Sequence, residues 1–382
     1  MQLRCVVCAA LHPADLRSAC ASCGDILEVI EPVGTSIAGD SYLQSGMWRH
    51  APRLSVGNRA CIISLREGET PLHRAGRLAR ALGFAGELWI KDETVNPSGS
   101  FKDRLISAAI SRARELGAPG VVCASSGNAG ASTAAYAARA GMPAVILVPA
   151  RTPDAKLAQI RAHGARLEMV DGHYSNAYKR GLQLAASEGF ANLTTTYLNP
   201  YGVDALRLIA WEIVGRLGQT PTHVLVPTGA GPLVKGVVQG FREATPGSVP
   251  RAVAVQAEGC APIAAAFQAE ATRVAAWGEP RTIASGISDP LVGYERDGTY
   301  TLRLVRETNG LAIAVSDAAI RAAMTQLARC EGILAEPTGA SSVAAVRELM
   351  NRNEIDGESR VVCMVTGHGF KDMQHYQALS DG

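Results

Sequence analysis

The sequence lacks the features of a membrane or secreted protein. No uninterrupted apolar stretch reaches the roughly 18 residues that a membrane helix needs, although 47% of the 382 residues are hydrophobic. The N-terminal stretch MQLRCVVCAALHPADLRSAC contains only a short apolar run, broken by His12 and Asp15, and is a poor signal peptide. We therefore expect a cytoplasmic protein with no membrane partner.

The sequence also lacks an excess of charge of either sign. Its 37 Lys and Arg residues nearly balance its 35 Asp and Glu residues, which leaves a formal net charge of +2. No basic stripe interleaved with aromatic residues is present, so we expect no nucleic-acid partner. A length of 382 residues allows two or three domains, and no repeat of solenoid period is evident.

The nine cysteines fall into two groups. Five are scattered through apolar segments and are expected to be buried, inert thiols: Cys61, Cys123, Cys260, Cys330 and Cys363. The other four form two C-x2-C pairs, which resemble the paired knuckles of a zinc ribbon: Cys5, Cys8, Cys20 and Cys23. We expect residues 1–32 to form a zinc-ribbon-like segment holding one structural zinc. The alternatives are a decayed ribbon and four thiols that merely lie near one another.

Short β-branched runs alternate with helical stretches through the rest of the chain. Strands are predicted at 120–125, 144–149, 166–171, 223–227, 252–256 and 360–366, and helices at 129–141, at 154–163 and from about 232. Near-continuous hydrophobic strands that alternate with helices favour parallel sheets covered on both faces. The predicted fold class is therefore α/β.

Glycine-bearing loops follow three of the predicted strands. SGNAG follows 120–125, TGAGPLVKG follows 223–227, and GHGFKD follows 360–366. The backbone N–H groups of such loops suit a phosphate or a carboxylate, particularly where a helix begins. Each loop alone is also explained as a plain strand-to-helix turn, or as helix capping by Ser126 or Asn128.

One lysine lies in an unusual setting. Lys102 follows the small-residue turn of NPSGSFKDR (96–104). A lysine, a phosphate cradle and a carboxylate cradle are the parts that pyridoxal phosphate and an amino-acid substrate require. The alternative for Lys102 alone is a surface cation paired with Asp103.

The motifs together resemble the fold-type II pyridoxal-phosphate enzymes, and within them the threonine synthases. The resemblance covers nearly the whole chain. Its motifs are EGETPL (67–72), KDETVNPSGSFKDR (91–104), SSGNAGASTAAYAARAG (125–141), EGILAEPTGA (331–340) and TGHGFKD (366–372).

The resemblance implies a fold and a set of site residues. Lys102 would be the Schiff-base lysine and the catalytic acid and base. Substrate would bind to Ser125, Ser126, Gly127, Asn128 and Ala129. The cofactor would contact Phe101, Lys102, Asn128, Gly229, Ala230, Gly231, Pro232, Leu233 and Thr366. Thr366 would offer its hydroxyl to the pyridine nitrogen, and Asn128 would bond the phenolic oxygen.

The implied architecture is that of the tryptophan synthase β-like fold, with two three-layer αβα domains and the cofactor between them. By that likeness residues 33–104 and 206–382 would form a large cofactor-binding domain, and residues 105–205 a small mobile one. A homodimer is also implied.

The implied reaction is elimination or replacement at the β or γ carbon of an activated amino acid. A hydroxyl at the pyridine nitrogen does not hold that nitrogen protonated, which favours such chemistry over transamination. The default is threonine synthase, a carbon–oxygen lyase that converts O-phosphohomoserine and water to threonine and phosphate.

The segment TTYLNPYGVDALRL (195–208) departs from the threonine synthase pattern. Thr196 and Tyr197 replace an Asn-Ser pair, and Gly202 replaces an arginine that would bind the substrate phosphate. Arg207 is a partial substitute or a helix-face residue. Leu105 stands where glycine is usual, and Pro232 interrupts the cofactor phosphate loop.

Two other functions therefore remain open. One is a specialised paralogue, with cysteate synthase-like replacement on phosphoserine or threonine or serine dehydratase-like elimination. The other is a non-catalytic binder that uses its ribbon to contact a partner, which the intact Lys102 argues against.

Overall fold

The computed structural model describes residues 1–31, 34–150, 152, 154–172 and 174–377. The predicted boundary of the ribbon segment, between residues 32 and 33, lies outside them. The strands are β1 Gln2–Cys5, β2 Leu11–Pro13, β3 Leu27–Ile30, β4 Leu72–Arg74, β5 Glu87–Asp92, β6 Val121–Ala124, β7 Ala144–Pro149, β8 Arg166–Val170, β9 Ala191–Asn192, β10 His223–Pro227, β11 Arg251–Ala257, β12 Leu311–Val315 and β13 Arg360–Val365.

From β5 to β12, one or two α-helices follow each strand, and the alternation that the hydrophobic pattern predicts is therefore present in the main part of the chain. The helices are α1 Gly76–Leu82, α2 Lys102–Glu115, α3 Asn128–Ala140, α4 Asp154–Ala162, α5 Tyr174–Glu188, α6 Pro200–Ala205, α7 Leu208–Leu217, α8 Pro232–Ala244, α9 Pro262–Gln268, α10 Glu295–Glu307, α11 Asp317–Gln326, α12 Pro337–Asn351 and α13 Gln374–Gln377. Within the described part of the chain, none of the helices combines the length and apolar character that a membrane crossing requires.

The chain forms two compact units. Unit 1 comprises 1–69 and 96–208, and unit 2 comprises 70–95 and 209–382. Of the segment 33–104, assigned from the sequence to the large domain, residues 34–69 and 96–104 therefore pack with unit 1. The predicted domain boundaries stay a prediction.

Unit 1 contains a four-stranded parallel sheet in the order β8-β7-β6-β9. Strand β6 is buried along its whole length because helices cover the sheet. A second, antiparallel sheet of three strands, in the order β2-β1-β3, forms the N-terminal segment. Its apolar face packs on Tyr201 of α6, whose hydroxyl donates to the carbonyl of Asp15 at 2.7 Å.

Unit 2 contains a six-stranded sheet in the order β12-β11-β10-β13-β5-β4. All neighbours are parallel except β4, which pairs antiparallel with β5. The central strands β10 and β13 are adjacent and almost entirely buried. Because parallel strands end at the same edge of a sheet, the loops that follow β10 and β13 are brought together.

Candidate functional site

The turn before Lys102 is held by the buried carboxylate of Asp103. This carboxylate accepts hydrogen bonds from the Ser98 backbone N–H at 2.6 Å, from the Ser98 hydroxyl, and from the Ser132 hydroxyl of α3 at 2.6 Å. Gly99 has φ +81°, a left-handed conformation that glycine adopts without strain. Asp103 therefore fixes the turn that presents Lys102, a role that the sequence did not indicate.

Lys102 is the first residue of α2 and its side chain is half-buried. Its Nζ donates to Thr195 Oγ1 at 2.6 Å and lies 4.8 Å from the centre of the Phe101 ring. Thr195 was not singled out in the sequence, where it is one of three consecutive threonines. The Thr195 hydroxyl thus fixes the direction of the amine.

The loop 125–129 joins β6 to α3. Helix α3 begins at Asn128, and its N-cap residue is Gly127, which has no side chain to cap the first turn. Ser126 and Asn128 therefore do not occupy the N-cap position. A Cβ on Gly130 would overlap the carbonyl of Ser125, so the loop lies close against the helix. N–H groups in an uncapped first turn are suited to an anion such as a carboxylate.

The loop 229–233 opens α8 at the end of β10. Gly231 has φ +115°, and a Cβ there would overlap Thr301 Oγ1, so only glycine fits. Among the described residues, the N–H groups of Gly229, Ala230 and Gly231 donate to no protein acceptor. Pro232 is the first residue of α8, where a missing N–H costs no hydrogen bond. Pro232 therefore leaves the anion-binding backbone of the loop intact.

Thr366 directly follows β13. This strand pairs with β10, which leads into the loop 229–233. The Thr366 side chain is 1% exposed, and its Oγ1 has no hydrogen-bond partner within the described ranges. A buried hydroxyl without a partner costs about 1–3 kcal/mol, so it is normally matched by a ligand or water. The next residue, Gly367, leaves room for the Glu336 carboxylate, which a Cβ there would overlap. An orphaned hydroxyl beside a cradle of free N–H groups fits the nitrogen and the phosphate of pyridoxal phosphate.

The residues that depart from the expected pattern lie in the interior of unit 1. Gly202, in α6, packs against Leu105 of α2. A Cβ on Gly202 would lie 2.7 Å from Leu105 Cδ2 and 2.8 Å from the Leu105 carbonyl oxygen. Leu105 thus fills the space beside position 202. The glycine at 202 and the leucine at 105, which both depart from the expected pattern, pack against each other.

The remaining departures are Arg207, Thr196 and Tyr197. Arg207 is 6% exposed, lies 3.3 Å from the Asp204 carboxylate and donates to the carbonyl of Arg53. Its charge is therefore occupied by protein groups. Thr196 and Tyr197 are both buried, and Thr196 Oγ1 has no partner among the residues described.

The four N-terminal cysteines come together as predicted. Their sulfurs lie within 4.8 Å of one another, with Cys5–Cys23 at 3.5 Å and Cys8–Cys20 at 3.7 Å. A tetrahedral zinc with Zn–S bonds of about 2.3 Å requires sulfurs about 3.8 Å apart. The donor set therefore fits a structural zinc, and four thiolates leave no open position for catalysis.

The ring of His12 lies 3.2 Å from the Cys20 sulfur, a contact that the sequence did not indicate. Burial would raise the pKa of the Cys20 thiol, but the backbone N–H groups of Cys23 and Ser22 and the His12 ring lower it to about 5. A thiolate is thus available in the cluster.

The scattered cysteines are only partly as expected. Burial raises the pKa of Cys123 to about 11 and that of Cys260 to about 12, so these thiols are unreactive. Cys363 is also buried. Cys61 and Cys330 are half-buried, because they lie in short helical turns at the surface rather than in strands.

Comparisons with known proteins agree with this chemistry. Residues 63–367 match the family described as pyridoxal-phosphate dependent enzyme. The chain is 36% identical to threonine synthase of Methanocaldococcus jannaschii, over 97% of this chain and 93% of that one. It is 34% identical to threonine synthase of Methanosarcina acetivorans, over 97% and 92%.

Solved structures share the fold. A threonine deaminase isoform 2 from Solanum lycopersicum matches with a TM-score of 0.71 at 22% identity, covering 93% of this chain and 98% of that one. Maize serine racemase matches with a TM-score of 0.68 at 22% identity, covering 81% and 91%. Both likenesses confirm the predicted α/β fold.

Proposed function

The chain belongs to the threonine synthase family of pyridoxal-phosphate-dependent enzymes, and we propose that it converts O-phosphohomoserine and water to threonine and phosphate. Membership of this family makes it a pyridoxal-phosphate-dependent lyase. The named substrate and the residue roles below are proposals.

The proposal rests mainly on the polar groups at the carboxyl ends of β10 and β13. The free N–H groups of 229–231 and the orphaned hydroxyl of Thr366 are at the ends of two adjacent strands. A phosphate and a pyridine nitrogen carried by one small molecule would satisfy both. Gly229 to Leu233 would hold the phosphate, and Thr366 would donate its hydroxyl to the nitrogen.

The remaining residues would bind and convert the substrate. Pyridoxal phosphate supplies an aldehyde for the substrate amine and withdraws electrons from the α carbon. The Lys102 amine would bond the aldehyde at rest and carry protons to and from the α and β carbons during turnover. Thr195 would hold that amine by accepting its hydrogen bond. The loop 125–129 would bind the substrate carboxylate. Asn128 would also donate a hydrogen bond to the phenolic oxygen of the cofactor, and Phe101 would pack beside the cofactor.

A second function is favoured by one observation. Gly202 and Leu105 leave no room for a side chain where a phosphate-binding arginine is expected, and Arg207 is engaged by Asp204 and Arg53. This arrangement supports a paralogue that acts on another activated amino acid, by replacement on phosphoserine or by elimination from threonine or serine.

One experiment separates the two functions. The purified holoenzyme is mixed in turn with O-phosphohomoserine, O-phosphoserine, threonine and serine, and phosphate, ammonia and new amino acids are measured. We expect phosphate and threonine in equal amounts from O-phosphohomoserine, and nothing from Lys102→Ala. No turnover of O-phosphohomoserine, with turnover of another substrate, would contradict the proposal and establish the paralogue.

A structural zinc, a homodimer and a cytoplasmic location complete the proposal. The zinc is supported by the sulfur spacing of Cys5, Cys8, Cys20 and Cys23. Metal analysis should find one zinc per chain, and Cys8→Ser should lose it. A metal-free protein of unchanged stability would contradict the zinc assignment. The homodimer follows from the family resemblance and is tested by sedimentation equilibrium.

A further inference from the structure

Unit 1 contains a surface groove that the proposed chemistry does not use. Its volume is about 700 Å³. The groove lies where the segment 40–64, which precedes β4, meets the last turns of α2 and α3. Its polar lining includes Asp40, Tyr42, Asn58, Arg59, Arg114 and Arg139.

The acidic groups near this groove are occupied. Asp40 lies 3.2 Å from Arg59 and also accepts from the backbone N–H of Tyr42 at 3.1 Å. The Glu115 carboxylate, next to the groove, pairs with Arg112 at 2.5 Å and accepts from the Asn58 N–H at 2.6 Å. These carboxylates therefore do not neutralise the other two arginines of the groove.

Arg114 and Arg139 are the unneutralised cations. Both are exposed, and neither pairs with a carboxylate within the described parts of the chain. The guanidinium of Arg139 lies 6.0 Å from the centre of the Tyr42 ring. The groove thus has a surplus of positive charge on its walls.

Helix ends explain only part of this arrangement. Arg114 and Arg139 lie in the last turns of α2 and α3, where a cation interacts favourably with the helix dipole. The dipoles do not explain why both arginines line one concave space together with Arg59, which comes from a different segment. Guanidinium groups around a concavity suit the oxygens of phosphate or carboxylate.

We propose that this groove binds a small molecule that carries two or more anionic groups, either phosphates or carboxylates. Arg114 lies twelve residues beyond Lys102 on α2, a rise of about 18 Å. Arg139 lies eleven residues beyond Asn128 on α3, a rise of about 17 Å. The groove is therefore distinct from the proposed catalytic residues of unit 1, and its ligand is an effector rather than the substrate. The inference does not depend on which amino acid the enzyme converts.

Isothermal titration calorimetry of the holoenzyme tests the site. Inorganic pyrophosphate and citrate are titrated separately at constant ionic strength into wild type, Arg114→Ala/Arg139→Ala and Arg216→Ala. Arg216 is a matched control, since it is an exposed arginine in the last turn of α7 in the other unit. We expect saturable binding of at least one probe. Loss of each charged contact should weaken the affinity for that probe about tenfold, so the affinity of the double variant should be about 100-fold weaker. The affinity of Arg216→Ala should not change.

Each outcome decides the proposal. Binding of pyrophosphate alone assigns a phosphate ligand, and binding of citrate alone a carboxylate ligand. No saturable binding, or equal losses in the double variant and Arg216→Ala, overturns the site. Sedimentation is run beside the titration, with turnover as a check that the variants fold. A double variant that changes its oligomeric state while wild type binds neither probe identifies the groove as a subunit contact and also overturns the proposal.

Discussion

Replacing Gly202 with alanine is expected to destabilise the protein, although alanine is the better helix former. The new Cβ would lie 2.7 Å from Leu105 Cδ2 and 2.8 Å from both Leu105 Cγ and the Leu105 carbonyl oxygen. The leucine side chain is fully buried and the carbonyl belongs to α2, so neither can move away freely. Overpacking of this kind costs about 1–3 kcal/mol, and the helix propensity of alanine offsets up to about 1 kcal/mol. We expect a net loss of about 1 kcal/mol.

The matched control is Gly181→Ala in α5 of the same unit. A Cβ on Gly181 would have its nearest neighbour, Leu147 Cδ1, at 3.4 Å, which is ordinary van der Waals contact. This variant should be as stable as wild type or more stable. Urea unfolding followed by far-ultraviolet circular dichroism measures both midpoints.

A second substitution tests whether Leu105 is the cause. Leu105→Ala alone should cost about 2–5 kcal/mol, as expected for a buried leucine. Combined with Gly202→Ala it should cost less than the sum, because the clashing side chain has been removed. Strict additivity, or a Gly202→Ala variant that is more stable than wild type, would refute the packing argument. It would also reopen position 202 to an anion-binding side chain.

Two further predictions follow from buried polar groups. Thr366→Val should leave the apo protein as stable as wild type or about 1 kcal/mol more stable, since an orphaned buried hydroxyl is removed. The same change should weaken pyridoxal phosphate binding several-fold in a fluorescence titration, and unchanged affinity would refute the role of the hydroxyl. Burial, reinforced by the nearby Arg251 charge, lowers the pKa of His223 to about 4. The imidazole of the unfolded chain has a pKa of about 6.5, so it binds a proton at a higher pH than the imidazole of the folded protein does. The free energy of unfolding should therefore fall by up to roughly 3 kcal/mol as the pH is lowered from 6.5 to 4. His223→Gln should flatten that part of a pH–stability curve, and an unchanged slope would contradict this.

The sequence predicted several strands that have continuous hydrophobic runs, although it missed β12, whose sequence is LAIAV. The strand predicted at 144–149 and that at 223–227 match β7 and β10, because strands buried on both faces show no polar alternation. The antiparallel β4 was not predicted. It has only three residues, two of them exposed, so no hydrophobic run marks it.

The loops were located correctly but their contacts were not. Thr195 contacts Lys102 across 93 positions of sequence, and nothing in a run of three threonines distinguishes the one that does. The contact between Gly202 and Leu105 could not be predicted for the same reason. The two residues are far apart in the sequence and meet only because α2 and α6 pack together. Pro232 appeared as an interruption because its place at the first residue of α8 depends on where the helix begins.

The central claim is that the Lys102 amine forms the covalent link to pyridoxal phosphate, and one measurement tests it directly. The holoenzyme is reduced with borohydride, digested, and its peptides are mapped by mass spectrometry. The account predicts that the phosphopyridoxyl group is found on Lys102. The other lysine of the same motif, Lys91, is buried and donates to Glu212 at 2.6 Å, so it should remain unmodified. A label on Lys91, or an unlabelled Lys102 in fully reduced holoenzyme, would contradict the account.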